Sequence, residues 1–154
     1  MKPRLVIGLG NPLMGDDGVG CVVAERLAKD PRLPADVEVI CGGSDLLRSA
    51  AQIEGRSSVL VVDALQDGAS PGSVAVFAGS CSGLEERQPH AHRLAAAQAI
   101  GLLQITTPAR FVLLAVSVAS AAIGSGLSSA VAARVPAILD RVLQELCRQP
   151  DELA

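Results

Sequence analysis

Residues 5–20 read Leu-Val-Ile-Gly-Leu-Gly-Asn-Pro-Leu-Met-Gly-Asp-Asp-Gly-Val-Gly, and no other stretch limits the fold as strongly. An aliphatic run stops at glycines and turns through Asn11-Pro12. It then delivers two adjacent aspartates and opens an apolar segment with helical spacing. A strand that passes through a tight turn into a helix is the first half of a β-α-β unit. Val19, Val22, Val23 and Leu27 share one helical face as far as about Lys29, while Glu25, Arg26 and Lys29 make the wet face. The first strand is expected over residues 4–9. Asp16 or Asp17 is expected to cap the helix by accepting a backbone N–H, and the other to face the crevice beyond the strand.

The rest of the chain continues this alternation. Residues 37–41 form the expected second strand, turned by Gly42-Gly43, with Ser44 capping a short helix to about Gln52. Residues 58–63 form the third, and Val59-Leu60-Val61-Val62 is aliphatic enough for burial on both faces. Turns follow at Asp67-Gly68 and Ser70-Pro71-Gly72, then a short strand over 73–78. Its link to strand three is too short for a helical crossover, so it is expected to run antiparallel to that strand. A polar loop over 79–89 leads to an Ala-rich helix over 91–103, a buried strand over 110–116 and a small-residue loop over 117–126. The last helix, 128–147, carries a core stripe of Val131, Val135, Ile138, Leu139, Val142 and Leu146. Pro136 is expected to kink that helix or to mark its true start.

The order β-α-β-α-β-β-α-β-α implies one α/β domain over residues 1–154. The expected architecture is a three-layer α/β/α sandwich on a mostly parallel five-stranded sheet with one antiparallel strand. Composition agrees. Apolar residues make up 49% of the chain, yet Phe77 and Phe111 are its only aromatics, so the core must be Val, Leu, Ile and Ala.

Several functions are disfavoured. Net charge is −3 with no basic tract, and phosphate neutralisation needs clustered Lys and Arg. No nucleic-acid partner is expected. Cys21, Cys41, Cys81 and Cys147 are scattered without a C-x-x-C pair, which is poor spacing for zinc or an iron–sulfur cluster. Free thiols fit a reducing compartment. The longest apolar stretch, 111–123, is too short to span a bilayer. With no signal-peptide core near the start, a cytoplasmic monomer without membrane attachment is the expectation.

Parallel α/β sheets bind ligands beyond the carboxyl ends of their strands. That rule selects Asp16 and Asp17 after strand one, Gly42, Gly43 and Ser44 after strand two, and Asp63 after strand three. A buried aliphatic strand ending in a bare carboxylate is informative, because an unpaired buried charge is costly. Gly8 and Gly10 begin a G-x-G-x-x-G pattern, but Leu13 stands at its third position and no acid closes strand two, so a dinucleotide fits badly. Gly8, Gly10 and Gly15 are expected instead to let the backbone approach a peptide. His90 and His92 are the only histidines, and residues two apart diverge on a helix, so the two are not expected to enter one site together. Two carboxylates and one imidazole suit a divalent transition metal with open positions. A Ser44-based triad lacks a G-x-S-x-G elbow, and Cys21 and Cys41 lack any sign of activation.

These elements together resemble the hydrogenase maturation endopeptidases, which trim the C-terminus of the nickel-iron hydrogenase large subunit. The resemblance rests on G-x-G-N-x-x-x-x-D-[DE]-x-x-G from Gly8 to Gly20, Gly42-Gly43, and Val61-Val62-Asp63-Ala64. It also includes His92-Arg93-Leu94 before an Ala/Leu-rich helix and Gly124-Ser125-Gly126-Leu127-Ser128. It implies that Asp17, Asp63 and His92 are both the catalytic and the metal-contacting residues. It further implies that the metal is nickel supplied by the substrate, and that the partner is the large-subunit precursor. Relatives often carry glutamate where Asp17 stands, and a Pro or acidic residue within the stretch 117–121, which here is Ser-Val-Ala-Ser-Ala. A non-catalytic nickel-checking or chaperone module for hydrogenase assembly is the alternative expectation. A small-ligand α/β enzyme using Ser44 or Asp63 is a third.

Overall fold

The computed structural model describes residues 1–78, 95–119, 123–124 and 126–148. Five strands form one sheet: β1 (Arg4–Leu9), β2 (Val37–Gly43), β3 (Ser58–Leu65), β4 (Val74–Ala78) and β5 (Arg110–Ser117). Helices α1 (Val19–Ala28), α2 (Ala50–Ile53), α3 (Ala95–Thr106) and α4 (Ser129–Cys147) connect and cover them. Single 3-10 turns, Gly15–Gly18 and Leu46–Ser49, lead into α1 and α2.

Strand order is β2-β1-β3-β5-β4, with every neighbour parallel except the β4–β5 pair. Alternation along the strands splits the core in two. Leu5, Ile7, Val59, Val61, Phe111 and Leu113 face α2 and α3, packing with Leu46, Ile53, Ile100 and Leu103. Val6, Leu60, Val62, Val112 and Leu114 face α1 and α4, packing with Val23, Leu27, Val135 and Ile138. Both faces are covered, so Val59-Leu60-Val61-Val62 of β3 and residues 111–116 of β5 are buried at every position. The expected three-layer sandwich is what the chain forms.

Several local expectations change. β4 does run opposite to β3, but it pairs with β5, which inserts between them. A short link determines direction; it does not determine which strand is the neighbour. β2 continues through Gly42-Gly43 instead of turning there, because Gly43 pairs with Leu9 across an irregularity in register. Asp45, not Ser44, caps the short helix, its side chain accepting from Leu47 N at 3.0 Å. α4 runs unbroken through Pro136 from Ser129. Pro136 and Ala132 are both exposed, so the carbonyl that loses its donor lies on the wet side of the helix. The predicted polar loop and the start of the Ala-rich helix lie in residues 79–94, outside the described residues.

Candidate active site

The chain winds from β1 to β2 on one side and from β3 to β5 on the other, so strand order reverses between β1 and β3. At such a switch point the loops leave in opposite directions and open a crevice beyond the strand ends. Asp17 comes from the loop after β1 and Asp63 from β3.

The opening loop is built tightly. Asn11 Oδ1 accepts from Leu13 N at 3.0 Å, and Met14 N and Asp17 N donate to Asn11 O and Met14 O. Gly10 has φ +123°, and a Cβ there would run into the Asp17 carbonyl. A Cβ on Gly8 would meet the Gly20 carbonyl, and one on Gly20 would meet the carbonyls of Leu9 and Val62. The close approach that Gly8 and Gly10 permit is therefore internal, seating the start of α1 on β1 and β3; it is not an approach to a bound peptide. Gly15 turns at φ +57°.

Neither aspartate caps α1. The residue at its N-cap is Gly18, with no side-chain hydrogen bond. Asp16, 6% exposed, reaches across the molecule instead: Oδ1 accepts from Ser128 N at 2.7 Å and Oδ2 from Ser128 Oγ at 2.8 Å. Ser128 is itself the N-cap of α4. Nearby, Gly15 N donates to Gly124 O at 2.8 Å and Gly124 N to Leu13 O at 3.0 Å. The glycine-rich segment before α4 is thus clipped to the opening loop. The union of the two segments has no local signal in the sequence, because 112 residues separate Asp16 from Ser128.

Asp17 Oδ2 accepts from Asn11 N at 2.9 Å. Asp63 lies within β3, not at its end, and pairs with Ala115 of β5. The β1 partnership of β3, however, stops at Val62, so Asp63 is the first residue past it and borders the crevice on that side. Its Oδ1 accepts from Ala64 N at 2.8 Å. Desolvation pushes the Asp63 carboxyl up to about 7, the Ala64 N–H works against this, and the negative charge of Asp17 adds to the rise. The two carboxylates are therefore within electrostatic reach of each other. In each, one oxygen is held by a backbone N–H, and the other makes no hydrogen bond among the described residues, an arrangement that suits a cation. No third His, Cys, Asp or Glu joins them among the described residues. His90 and His92 lie outside those residues, three or more positions before α3, which covers the same sheet face as Val59 and Val61. Asp63 shares their parity along β3.

The other candidates separate from this pair. Ser44 is exposed beyond β2. Cys21 is buried and directs its thiol at the carbonyls of Gly8 and Gly10, at 3.5 and 3.7 Å. Burial, helped by the neighbouring Cys41 thiol, pushes Cys21 up to about 12, so it is no nucleophile near neutral pH. Ser117, in the stretch that departs from the resemblance, is buried and donates to Asp67 Oδ1 at 2.9 Å.

The chain is similar to known proteins in sequence and in fold. The hydrogenase 2 maturation protease of Escherichia coli is 27% identical over 146 residues, 92% of this chain and 89% of that protein. HupD of Rhodobacter capsulatus, a hydrogenase expression/formation protein, is 37% identical over 75 residues. A putative hydrogenase maturation protease of Methanocaldococcus jannaschii is 39% identical over 75 residues. These last two alignments take in 47% of this chain and only 36% and 48% of the relatives' own lengths. Among solved structures, the hydrogenase maturating endopeptidase HybD from E. coli superposes with a TM-score of 0.78 at 26% identity, covering 93% of this chain and 91% of that one. The NiFe hydrogenase maturation protease HybD from Thermococcus kodakarensis gives 0.74 at 27%, covering 94% and 99%. The family model for hydrogenase maturation protease matches residues 21–145. With that match over most of its length, the chain belongs to the hydrogenase maturation protease family.

Proposed function

We propose that the chain is an endopeptidase that removes the C-terminal peptide from the nickel-loaded large-subunit precursor of a nickel-iron hydrogenase. The observation that carries this reading is the pair Asp17 and Asp63 at the switch point, each with one oxygen anchored by a backbone N–H and the other without a hydrogen bond among the described residues. Hard oxygen donors with an imidazole are a fitting set for a borderline divalent ion such as nickel. His92 is the imidazole in this proposal, and the nickel is cargo arriving with the substrate. Contact with it reports that the metal has been installed before the tail is cut.

The carboxylates supply two kinds of chemistry. An aspartate with its pKa near 7 exchanges a proton at physiological pH, so Asp63 is suited to serve as a general base toward water. When a cation binds, it favours the ionised carboxylate and lowers that pKa again. Asp17 is the fixed negative partner, its orientation set by Asn11 N. The site acts in this reading on a monomer in the cytoplasm; no helix among the described residues is long and apolar enough to cross a membrane.

Asp17→Asn, Asp63→Asn and His92→Gln, made singly and assayed on a nickel-loaded precursor, are each expected to lower processing by at least ~100-fold. Normal processing by all three variants rejects the site. Precursor bound in a nickel-dependent way by the unaltered chain, with no peptide lost by mass spectrometry, favours the nickel-checking role over the peptidase.

A further inference from the structure

Two exposed aliphatic side chains stand on the loops that frame the crevice. Leu13 is 70% exposed and Ile123 89%. The segments that carry them are clipped together by the Leu13–Gly124 and Gly15–Gly124 backbone bonds and, just beyond, by Asp16 on Ser128. No ionisable side chain occurs in residues 9–15 or in residues 117–128. Leu13 and Ile123 therefore form an apolar rim on the side of the loop that carries Asp17.

Single exposed leucines are ordinary on a protein surface. This placement is different. The loop that displays Leu13 carries Asp17 four residues later, and Ile123 precedes the glycine that pairs with that loop. The hydrogen-bonded clasp holds both backbones in place, and the fold gains no burial from either side chain. Leu13 and Ile123 thus stand on backbones bonded to each other, in the loop that also carries Asp17 and in the segment paired with it.

We infer that Leu13 and Ile123 are specificity-determining residues, which seat an apolar side chain of an extended substrate segment next to the bond to be cut. This inference rests on the peptidase reading above. An extended chain directs alternate side chains to opposite sides, so one residue can lie on the rim while the adjacent carbonyl faces the carboxylates. Such contacts are made equally before and during reaction, so they govern KM and leave kcat alone.

The test is the steady-state cleavage of a nickel-loaded large-subunit precursor by Leu13→Ser, Ile123→Ser and the double variant. Leu102→Ser/Ile105→Ser serves as control, since those residues are also exposed but sit on α3, toward its far end. KM is expected to rise roughly 10-fold for each single change, with kcat within about twofold of the unaltered chain. The control is expected to leave both constants unchanged. In parallel, a photo-crosslinking benzoylphenylalanine at position 13 is expected to capture the C-terminal segment of the large subunit, and one at position 105 is not. An unchanged KM in the double variant, or equal capture from both positions, overturns the inference. An unaltered chain that leaves the precursor uncut overturns the peptidase reading instead, and the crosslink then decides the docking on its own.

Discussion

Asp63 carries an electrostatic cost within the fold. Its carboxyl titrates at about 7 against an ordinary 3.8, because desolvation and the charge of Asp17 both oppose ionisation. A raised folded-state pKa means that the folded chain resists losing this proton. The cost is absent below about pH 4, grows as pH rises through the interval, and is complete above about pH 7. Asp63→Asn removes the ionisation. It is therefore expected to raise Tm in metal-free buffer at pH 8 by roughly 5–10 °C more than at pH 4, from a difference on the order of 2–4 kcal/mol. Thermal unfolding followed by circular dichroism at the two pH values checks this, and an equal effect at both rejects it. Stability gained this way is expected to come with lost processing, the trade-off typical of a strained functional carboxylate. Sequence pattern alone points to Asp63, because an acid after a buried aliphatic run is legible without coordinates, whereas the choice of Asp17 over Asp16 rests on the family resemblance. What Asp16 does was not legible. Its partner is remote in the chain, and a helix cap was the only local use for it.

At the scale of elements, the junction of β1, α1 and β3 is a contact of backbones. Gly20 sits in the first turn of α1, where a side chain would collide with the carbonyls of Leu9 and Val62. Gly20→Ala is therefore expected to destabilise by about 3 kcal/mol despite the better helix propensity of alanine, since backbone, not a flexible side chain, would have to move. Urea unfolding of this variant measures the loss. A midpoint equal to that of the unaltered chain rejects the packing argument. Strand positions were readable to within a residue or two, because aliphatic runs bounded by glycine, proline and polar residues need no long-range information. β1 was read at its observed limits, Arg4–Leu9. Pairing was harder. β2 proved longer because Leu9 reaches Gly43, and β4 chose β5 over β3. Both outcomes depend on strands distant in the chain, which local spacing does not encode.

Over the whole molecule, the clasp between the opening loop and the start of α4 ties one end of the fold to the other. Asp16→Ala leaves Ser128 N–H without its buried acceptor. It is expected to cost about 2 kcal/mol, to lower Tm by roughly 4–8 °C and to speed hydrogen exchange at the Ser128 amide. Unchanged exchange there would show that the clasp holds without Asp16. The same connection has a consequence in time. Asp16 and Asp17 emerge early during synthesis, whereas Ser128 emerges only after more than a hundred further residues. A nascent chain that has not yet reached Gly124 carries both aspartates but lacks the Ser128 donors that Asp16 meets and the Gly124 bonds to the opening loop. The last stretch to be made therefore closes two things at once, the clasp on Asp16 and the core under α4.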